Sequence, residues 1–244
     1  MRLCKWDDLP LEMQTEEVAK YYDILKKRGA ALVLKRAFDI FVSSVMLLLF
    51  SPLFLILAIA IKLDSKGPVF YRQERVTQFN KRFKIHKFRS MKVGSDKGSL
   101  VTVDHDDRIT RVGKFIRKTR LDEISQLIDV FTGNMTFVGT RPEVPRYVER
   151  YSPEMMATLL LPAGVTSEAS IYFKDEAELI KDVDNADDVY VEKVLPIKMY
   201  YNLRAIRNFG FFKDIGVMIK TVLAVLGKNY AEKDELPEKD GDIS

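Results

Sequence analysis

The chain has 244 residues, 47% of them hydrophobic, with 39 Lys and Arg against 35 Asp and Glu and a single cysteine, Cys4. That length supports one substantial core with at most a minor appendage, and a lone cysteine excludes an internal disulfide framework and a cysteine-based zinc site. The net charge of +4 suits an anionic membrane surface or phosphate substrates and gives no argument for nucleic acid.

In chain order, residues 1–14 read as irregular. The opening MRLCKWDDLPLEMQTEE carries carboxylates where a signal peptide has its apolar core, so the membrane segment that follows is expected to persist in the mature protein. Residues 15–36 predict a helix: Thr15 precedes Glu16 and Glu17, and Val18, Tyr21, Tyr22 and Leu25 recur at helical spacing. Its lysines and tyrosines suit a helix lying at a membrane interface, and a solvated helix on the globular domain fits equally. From Ile40 to Ile61 follow 22 residues without a charge, interrupted by Ser51-Pro52. The run is long enough for a hydrocarbon slab of roughly 30 Å at about 1.5 Å per residue, but an interior proline costs a helix about 3 kcal/mol. Six cations stand before the run (Lys20, Lys26, Lys27, Arg28, Lys35, Arg36) and five after it (Lys62, Lys66, Arg72, Arg75, Lys81). A spanning helix favours an asymmetry of such charges. Their balance points to a re-entrant helix-break-helix with both ends on the cytoplasmic side, with a kinked spanning helix as the alternative.

Gly67-Pro68 marks a turn, after which Val69–Tyr71 and Phe83–Phe88 read as short strands flanking Asn80-Lys81. Residues 92–108 are polar and loop-like, 111–131 helical in parts, 132–142 turn-rich and 143–160 helical. Residues 196–227 predict one or two amphipathic helices broken near Gly210, and the acidic end, AEKDELPEKDGDIS, reads as disordered. The expected division is an N-terminal extension (1–34), a membrane helix pair (35–66), a catalytic domain with interfacial helices (67–228) and a tail (229–244). The fold class is α+β, mostly helical, with a short β-hairpin.

Three segments carry residues suited to chemistry. In Thr119-Arg120-Leu121-Asp122-Glu123, the apolar positions Ile124, Leu127, Ile128 and Phe131 mark one helix face, which sets Asp122 and Glu123 in the first turn. A carboxylate held there can act as a nucleophile while its neighbour holds a divalent cation. The plainer reading is a capping box between Thr119 and Asp122. In Lys81–Arg89, Lys87 and Arg89 share a face if the segment is extended, and two cations suit a diphosphate; a basic strand against anionic lipid is the alternative. In Val138–Glu143, Gly139 and Pro142 would present Arg141 from a rigid turn, or simply start the next helix. His86 and His105 lack metal-ligand spacing and read as ordinary polar residues.

These segments fall into an ordered series: Lys35-Arg36-x-Phe38-Asp39, Ser51-Pro52, Gly67–Tyr71 with Gln73 and Arg75, Lys87-Phe88-Arg89-Ser90-Met91, Arg108-Ile109-Thr110-Arg111-x-Gly113, Arg120-Leu121-Asp122-Glu123 and Gly139-x-Arg141-Pro142. The series, within about residues 34–165, resembles the bacterial sugar transferases, the monotopic polyprenyl-phosphate phosphoglycosyl transferases. The resemblance implies transfer of a sugar-1-phosphate from a nucleotide diphosphate sugar, commonly a UDP-sugar, to undecaprenyl phosphate at the cytoplasmic face of the bacterial inner membrane, with release of UMP. It makes Asp122 the covalent nucleophile and Glu123 the Mg²⁺-binding acid. Lys87, Arg89, Arg120 and Arg141 become phosphate-positioning cations, and Ser51-Pro52 the break of a re-entrant helix. It implies membrane lipids as partners, exopolysaccharide, capsule or glycoconjugate assembly as the setting, and allows a homodimer. Four departures from the family pattern lie near the donor side: Thr140 for a common proline, Asn134 for Asp, Asp129 for Asn, and a loose Leu161–Ser167 motif. A non-catalytic membrane-anchored module that binds phosphate or lipid, and a phosphotransferase for soluble nucleotides tethered by an ordinary helix, are the competing readings.

Overall fold

The computed structural model describes residues 1–94, 108–173 and 186–227. The predicted polar loop, with His105, falls mostly outside these residues, as does the acidic tail.

The N-terminus is more ordered than its composition suggested. Two 3-10 turns, Trp6–Asp8 and Leu11–Met13, lead into α1 (Glu16–Lys26), whose Thr15 hydroxyl accepts from the Val18 amide. The predicted helix over 15–36 is two helices. The chain bends at Lys27-Arg28, where Gly29 weakens helical continuity and the Arg28 guanidinium reaches the Phe209 carbonyl. The apolar face of α1 (Val18, Tyr21, Tyr22, Leu25) packs against Met156, Ala157, Leu160, Leu203 and Ile206, forming the largest core cluster. The tyrosines that suited an interface therefore point into protein.

Helices α2 (Gly29–Leu49) and α3 (Ser51–Asp64) meet at Phe50 with a 60° bend. Ser51 donates its hydroxyl to the Leu48 carbonyl, and Pro52 stands in the first turn of α3, where its missing N–H removes no helix bond. No single helix among the described residues is long and apolar enough to cross a membrane; only the bent pair is. Beyond the polar start of α2, the pair exposes Phe41, Val45, Leu48, Leu49, Leu55, Ile56, Ile59 and Leu63. Contiguous apolar surface of this kind marks a lipid or protein contact. The start of α2 is bolted down by polar bonds. Lys35 donates to Asp214 (2.5 Å) and the Val138 carbonyl (2.8 Å), Arg36 to the Val130 and Phe131 carbonyls, and Asp39 accepts from the Thr136 hydroxyl and the Phe137 amide.

The predicted hairpin is present and longer than its apolar runs: β1 (Phe70–Thr77) pairs antiparallel with β2 (Lys81–Phe88) through a 3-10 turn in which Phe79 and Asn80 take positive φ. Next come α4 (Arg111–Lys118), a 3-10 helix (Leu121–Gln126) and α5 (Leu127–Thr132). The stretch expected to be turn-rich contains β3 (Met135–Val138), parallel to β4 (Ala163–Thr166). Its bracketing glycines read as turns, but Gly139 and the facing Gly164 allow close packing: a Cβ on Gly164 would sit 2.1 Å from the Gly139 oxygen, and one on Gly139 would sit 2.8 Å from the Pro162 oxygen. Residues 143–160 hold only α6 (Pro145–Val148) and a 3-10 helix (Met155–Leu160). After α7 (Glu168–Tyr172), α8 (Ala186–Val189) runs through a π-helical turn into α9 (Leu195–Arg207), and α10 (Phe211–Val225) follows the expected break at Gly210. The architecture is α+β, mostly helical, with two two-stranded sheets.

Candidate active site

Arg120 adopts a left-handed backbone (φ 55°) between α4 and the 3-10 helix, a conformation unusual for a residue with a Cβ. That reversal sets Asp122 and Glu123 in the first turn, as the sequence implied. The capping-box reading does not hold: the Thr119 hydroxyl donates backward to the Phe115 and Ile116 carbonyls, not forward to Asp122. The element is a six-residue 3-10 helix rather than the start of one long α-helix, so a helix dipole contributes little here.

Glu123 is the hub. Its Oε1 accepts from Arg141 at 2.8 Å and from Lys87 at 3.2 Å. Lys87 comes from β2. Arg141 comes from the loop after β3, which is fixed at both flanks. Arg75 donates to the Pro142 carbonyl (3.0 Å), the Val76 amide to the Glu143 carbonyl (3.0 Å), and the Glu143 carboxylate accepts from Tyr190 (2.6 Å). Glu123 thus draws cations from two separate segments, β2 and the loop after β3.

Burial alone would raise the Glu123 carboxyl, but the fields of Arg141 and Lys87 and the bonds they donate outweigh it and hold it down at about 2. Asp122 moves the other way. Burial pushes its carboxyl up, Glu123 adds to the push, and Lys87 only partly opposes it. Burial also lowers the Lys87 ammonium, while Glu123 counteracts. Adjacent carboxyls driven in opposite directions can divide tasks: one permanently anionic, the other a poorly solvated and more reactive anion.

Arg89 and Arg120 are placed differently. Strand alternation stops at Phe88, and the buried Arg89 guanidinium instead donates to the carbonyls of Ser65 (2.7 Å), Lys66 (2.6 Å) and Ile61 (3.4 Å) at the C-terminal end of α3. Arg120 is exposed at the helix start. The sequence reading did not single out Arg75, although strand periodicity carried a signal: Tyr71, Gln73 and Arg75 share the face on which Lys87 lies opposite Tyr71.

The bent apolar pair touches the site directly. Leu57 and Ile61 of α3 pack with Phe88 and Ile116, and Leu121 and Ile124 of the 3-10 helix that bears Asp122 and Glu123 join that cluster. A cleft of about 590 Å³ lies elsewhere, between β3 and helices α9 and α10; neither carboxylate lines it.

No cluster of three potential metal-ligating side chains occurs among the described residues. Mg²⁺ is commonly held by one or two carboxylates together with phosphate oxygens and water. Glu123, fully ionised, with Asp122 beside it, fits that donor set.

A family model described as bacterial sugar transferase matches residues 30–228, extending well past the seven motifs read from the sequence. The chain is 36% identical over 197 residues to the UDP-N-acetylgalactosamine-undecaprenyl-phosphate N-acetylgalactosaminephosphotransferase of Aeromonas hydrophila, which covers 79% of this chain and 44% of that protein. It is 35% identical over 216 residues to the UDP-glucose:undecaprenyl-phosphate glucose-1-phosphate transferase of Escherichia coli (strain K12), covering 86% and 44%. The chain therefore spans less than half the length of these two relatives. With the exopolysaccharide production protein PSS of Rhizobium leguminosarum bv. phaseoli it shares 48% identity over 218 residues, covering 82% of this chain and 99% of the relative. With most of its length accounted for in this way, the chain belongs to the bacterial sugar transferase family.

Proposed function

We propose that the protein is a polyprenyl-phosphate phosphoglycosyl transferase, moving sugar-1-phosphate from a UDP-sugar to undecaprenyl phosphate through a covalent intermediate on Asp122. The observation that carries this reading is the pairing of a desolvated, upward-shifted Asp122 with a Glu123 fixed by Lys87 and Arg141.

A carboxylate oxygen of Asp122 attacks the phosphorus that bears the sugar. The bond from that phosphorus to the bridging oxygen breaks, and UMP leaves with the electron pair. An oxygen of undecaprenyl phosphate then attacks the same phosphorus, and the Asp122 carboxylate departs, giving undecaprenyl diphosphate sugar. Splitting the transfer in two avoids direct attack of one phosphate anion on another nucleotide-laden one. Lys87 and Arg141 neutralise the diphosphate and orient it, Arg141 through a planar two-pronged contact. Arg120, at the exposed rim, meets incoming phosphate first. Arg89 takes a positioning role, tying the end of α3 to the strand that bears Lys87. Glu123 would hold Mg²⁺, which when bound supplies further charge neutralisation for the donor's diphosphate.

The bent apolar pair α2–α3 is read as a re-entrant anchor in the cytoplasmic membrane, with the catalytic domain on the cytoplasmic side. Its contact with the catalytic helix would keep the site at the headgroup plane, where the acceptor's phosphate resides. The test is incubation of the purified protein with Mg²⁺, undecaprenyl phosphate and a panel of radiolabelled UDP-sugars. Lipid-soluble label with stoichiometric UMP is expected for at least one donor, and none for Asp122→Asn. Full activity in that variant contradicts the mechanism; no transfer with any donor favours a non-catalytic lipid- or phosphate-binding module.

A further inference from the structure

The catalytic 3-10 helix and strand β2 are joined by polar contacts that the reaction scheme leaves unused. β2 pairs with β1 along one edge. On its other edge, the His86 amide donates to Asp129 Oδ2 (2.8 Å), and the His86 carbonyl accepts from the Ser125 hydroxyl (2.9 Å). Ser125 stands near the end of the 3-10 helix and Asp129 four residues on, in α5. Together they offer one acceptor and one donor to one residue, as a neighbouring strand would. The Ser125 hydroxyl also lies 3.1 Å from the Asp122 carbonyl.

The imidazole extends the contact. Its Nδ1 lies 2.8 Å from Asp129 Oδ1 and its Nε2 2.6 Å from the Arg72 guanidinium. A carboxylate only accepts and a guanidinium only donates, so Nδ1 carries the proton and Nε2 is the acceptor. The polarity runs in one direction, Arg72 to His86 to Asp129. Arg72 is itself held, donating to the Lys84 carbonyl from Nε (3.1 Å) and NH2 (2.7 Å). Asp129 and Ser125 are fully buried, so neither has water as a substitute partner.

We infer that Asp129, His86 and Ser125 form a positioning brace that sets the catalytic carboxylates against Lys87. Lys87 follows His86 on the strand, and Asp122 and Glu123 precede Ser125 on the helix, so the brace lies directly behind the 3.2 Å contact between Lys87 and Glu123. A shift between the two elements would misplace Asp122 relative to a phosphorus held by Lys87.

The polarity makes the inference testable. Asp129→Asn retains an acceptor for the His86 amide but turns a donor toward Nδ1. The imidazole must then move its proton to Nε2, where it meets the donor Arg72. Replacing Arg72 by Gln supplies an acceptor there and restores a consistent chain in the opposite direction. In full-length protein, Asp129→Asn is expected to lower kcat about ten-fold, with the donor KM changed less than about two-fold. Adding Arg72→Gln should recover most of that loss, whereas Arg72→Gln alone, whose amide can still donate to Nε2, should lower kcat less than Asp129→Asn does. Ser125→Ala should show the same split between kcat and KM, and decides the matter if Asp129→Asn does not fold. Unchanged kcat in both Asp129→Asn and Ser125→Ala, or a loss in folded Asp129→Asn that Arg72→Gln does not relieve, overturns the brace.

The inference rests on the reading of Asp122 as nucleophile, so Asp122→Asn is assayed in parallel. If Asp122→Asn is inactive while the brace variants behave normally, only the brace fails. If Asp122→Asn is fully active, the nucleophile assignment fails, and the brace loses the group it positions.

Discussion

At the scale of single residues, the account turns on two neighbouring carboxyls with opposite electrostatic fates. Asp122 must be ionised to attack, and burial raises its carboxyl above the ordinary value. Activity is therefore lost on acidification at a higher pH than an unperturbed aspartate would give, and that limb appears in a kcat/KM profile. Lys87 opposes the shift, so Lys87→Met should move the limb to still higher pH as well as weaken donor binding. Glu123, held at about 2, stays ionised throughout and contributes no limb of its own. Asp122→Asn should reduce turnover by at least about 10³-fold without unfolding, and Arg141→Ala should cost about 10²-fold in kcat/KM. The acidic pair was legible because Arg120-Leu121-Asp122-Glu123 precedes a clear helical stripe. Arg89 was misplaced because alternation was carried one residue past the end of the strand. The bonds of His86 to Ser125 and Asp129 join residues 39 and 43 positions apart, a proximity no local pattern announces.

Among the elements, the helix break was the most readable. Ser51-Pro52 ends one apolar run and begins the next, and the 60° bend is where the proline puts it. After Cys4→Ser, single cysteines placed at residues 30 and 70 should both resist a membrane-impermeant reagent applied outside intact cells; labelling of either removes the re-entrant topology. β3 was hidden because Gly133 and Gly139 suggested turns around four residues whose strand character needs β4 as partner. Arg89 ties α3 to β2, and Arg89→Ala should destabilise the protein by about 2 kcal/mol through unsatisfied carbonyls, read as an earlier thermal transition in detergent.

The whole molecule is a bent apolar helix pair with its polar start bolted to β3, α5 and α10, and its second half packed against the 3-10 helix that bears Asp122 and Glu123. The segment before residue 30, where the family match begins, is integrated too. Tyr21 donates to Glu154 (2.5 Å) and accepts from Arg207 (2.8 Å), and Leu25 is fully buried beneath it. Leu25→Ala should therefore cost about 2–5 kcal/mol in global stability. The sequence marked α1 as amphipathic but left its apolar face open to lipid or protein, because periodicity shows a face and not its partner. On the proposed mechanism these supports converge on one event, the temporary bonding of phosphosugar to Asp122. The direct measurement is mass spectrometry of the peptide bearing Asp122 after incubation with UDP-sugar and Mg²⁺ in the absence of acceptor. A mass increase equal to the sugar phosphate, localised to Asp122, absent from Asp122→Asn and discharged by undecaprenyl phosphate, is expected. Sequential ternary-complex kinetics with no such adduct at any time would contradict the account.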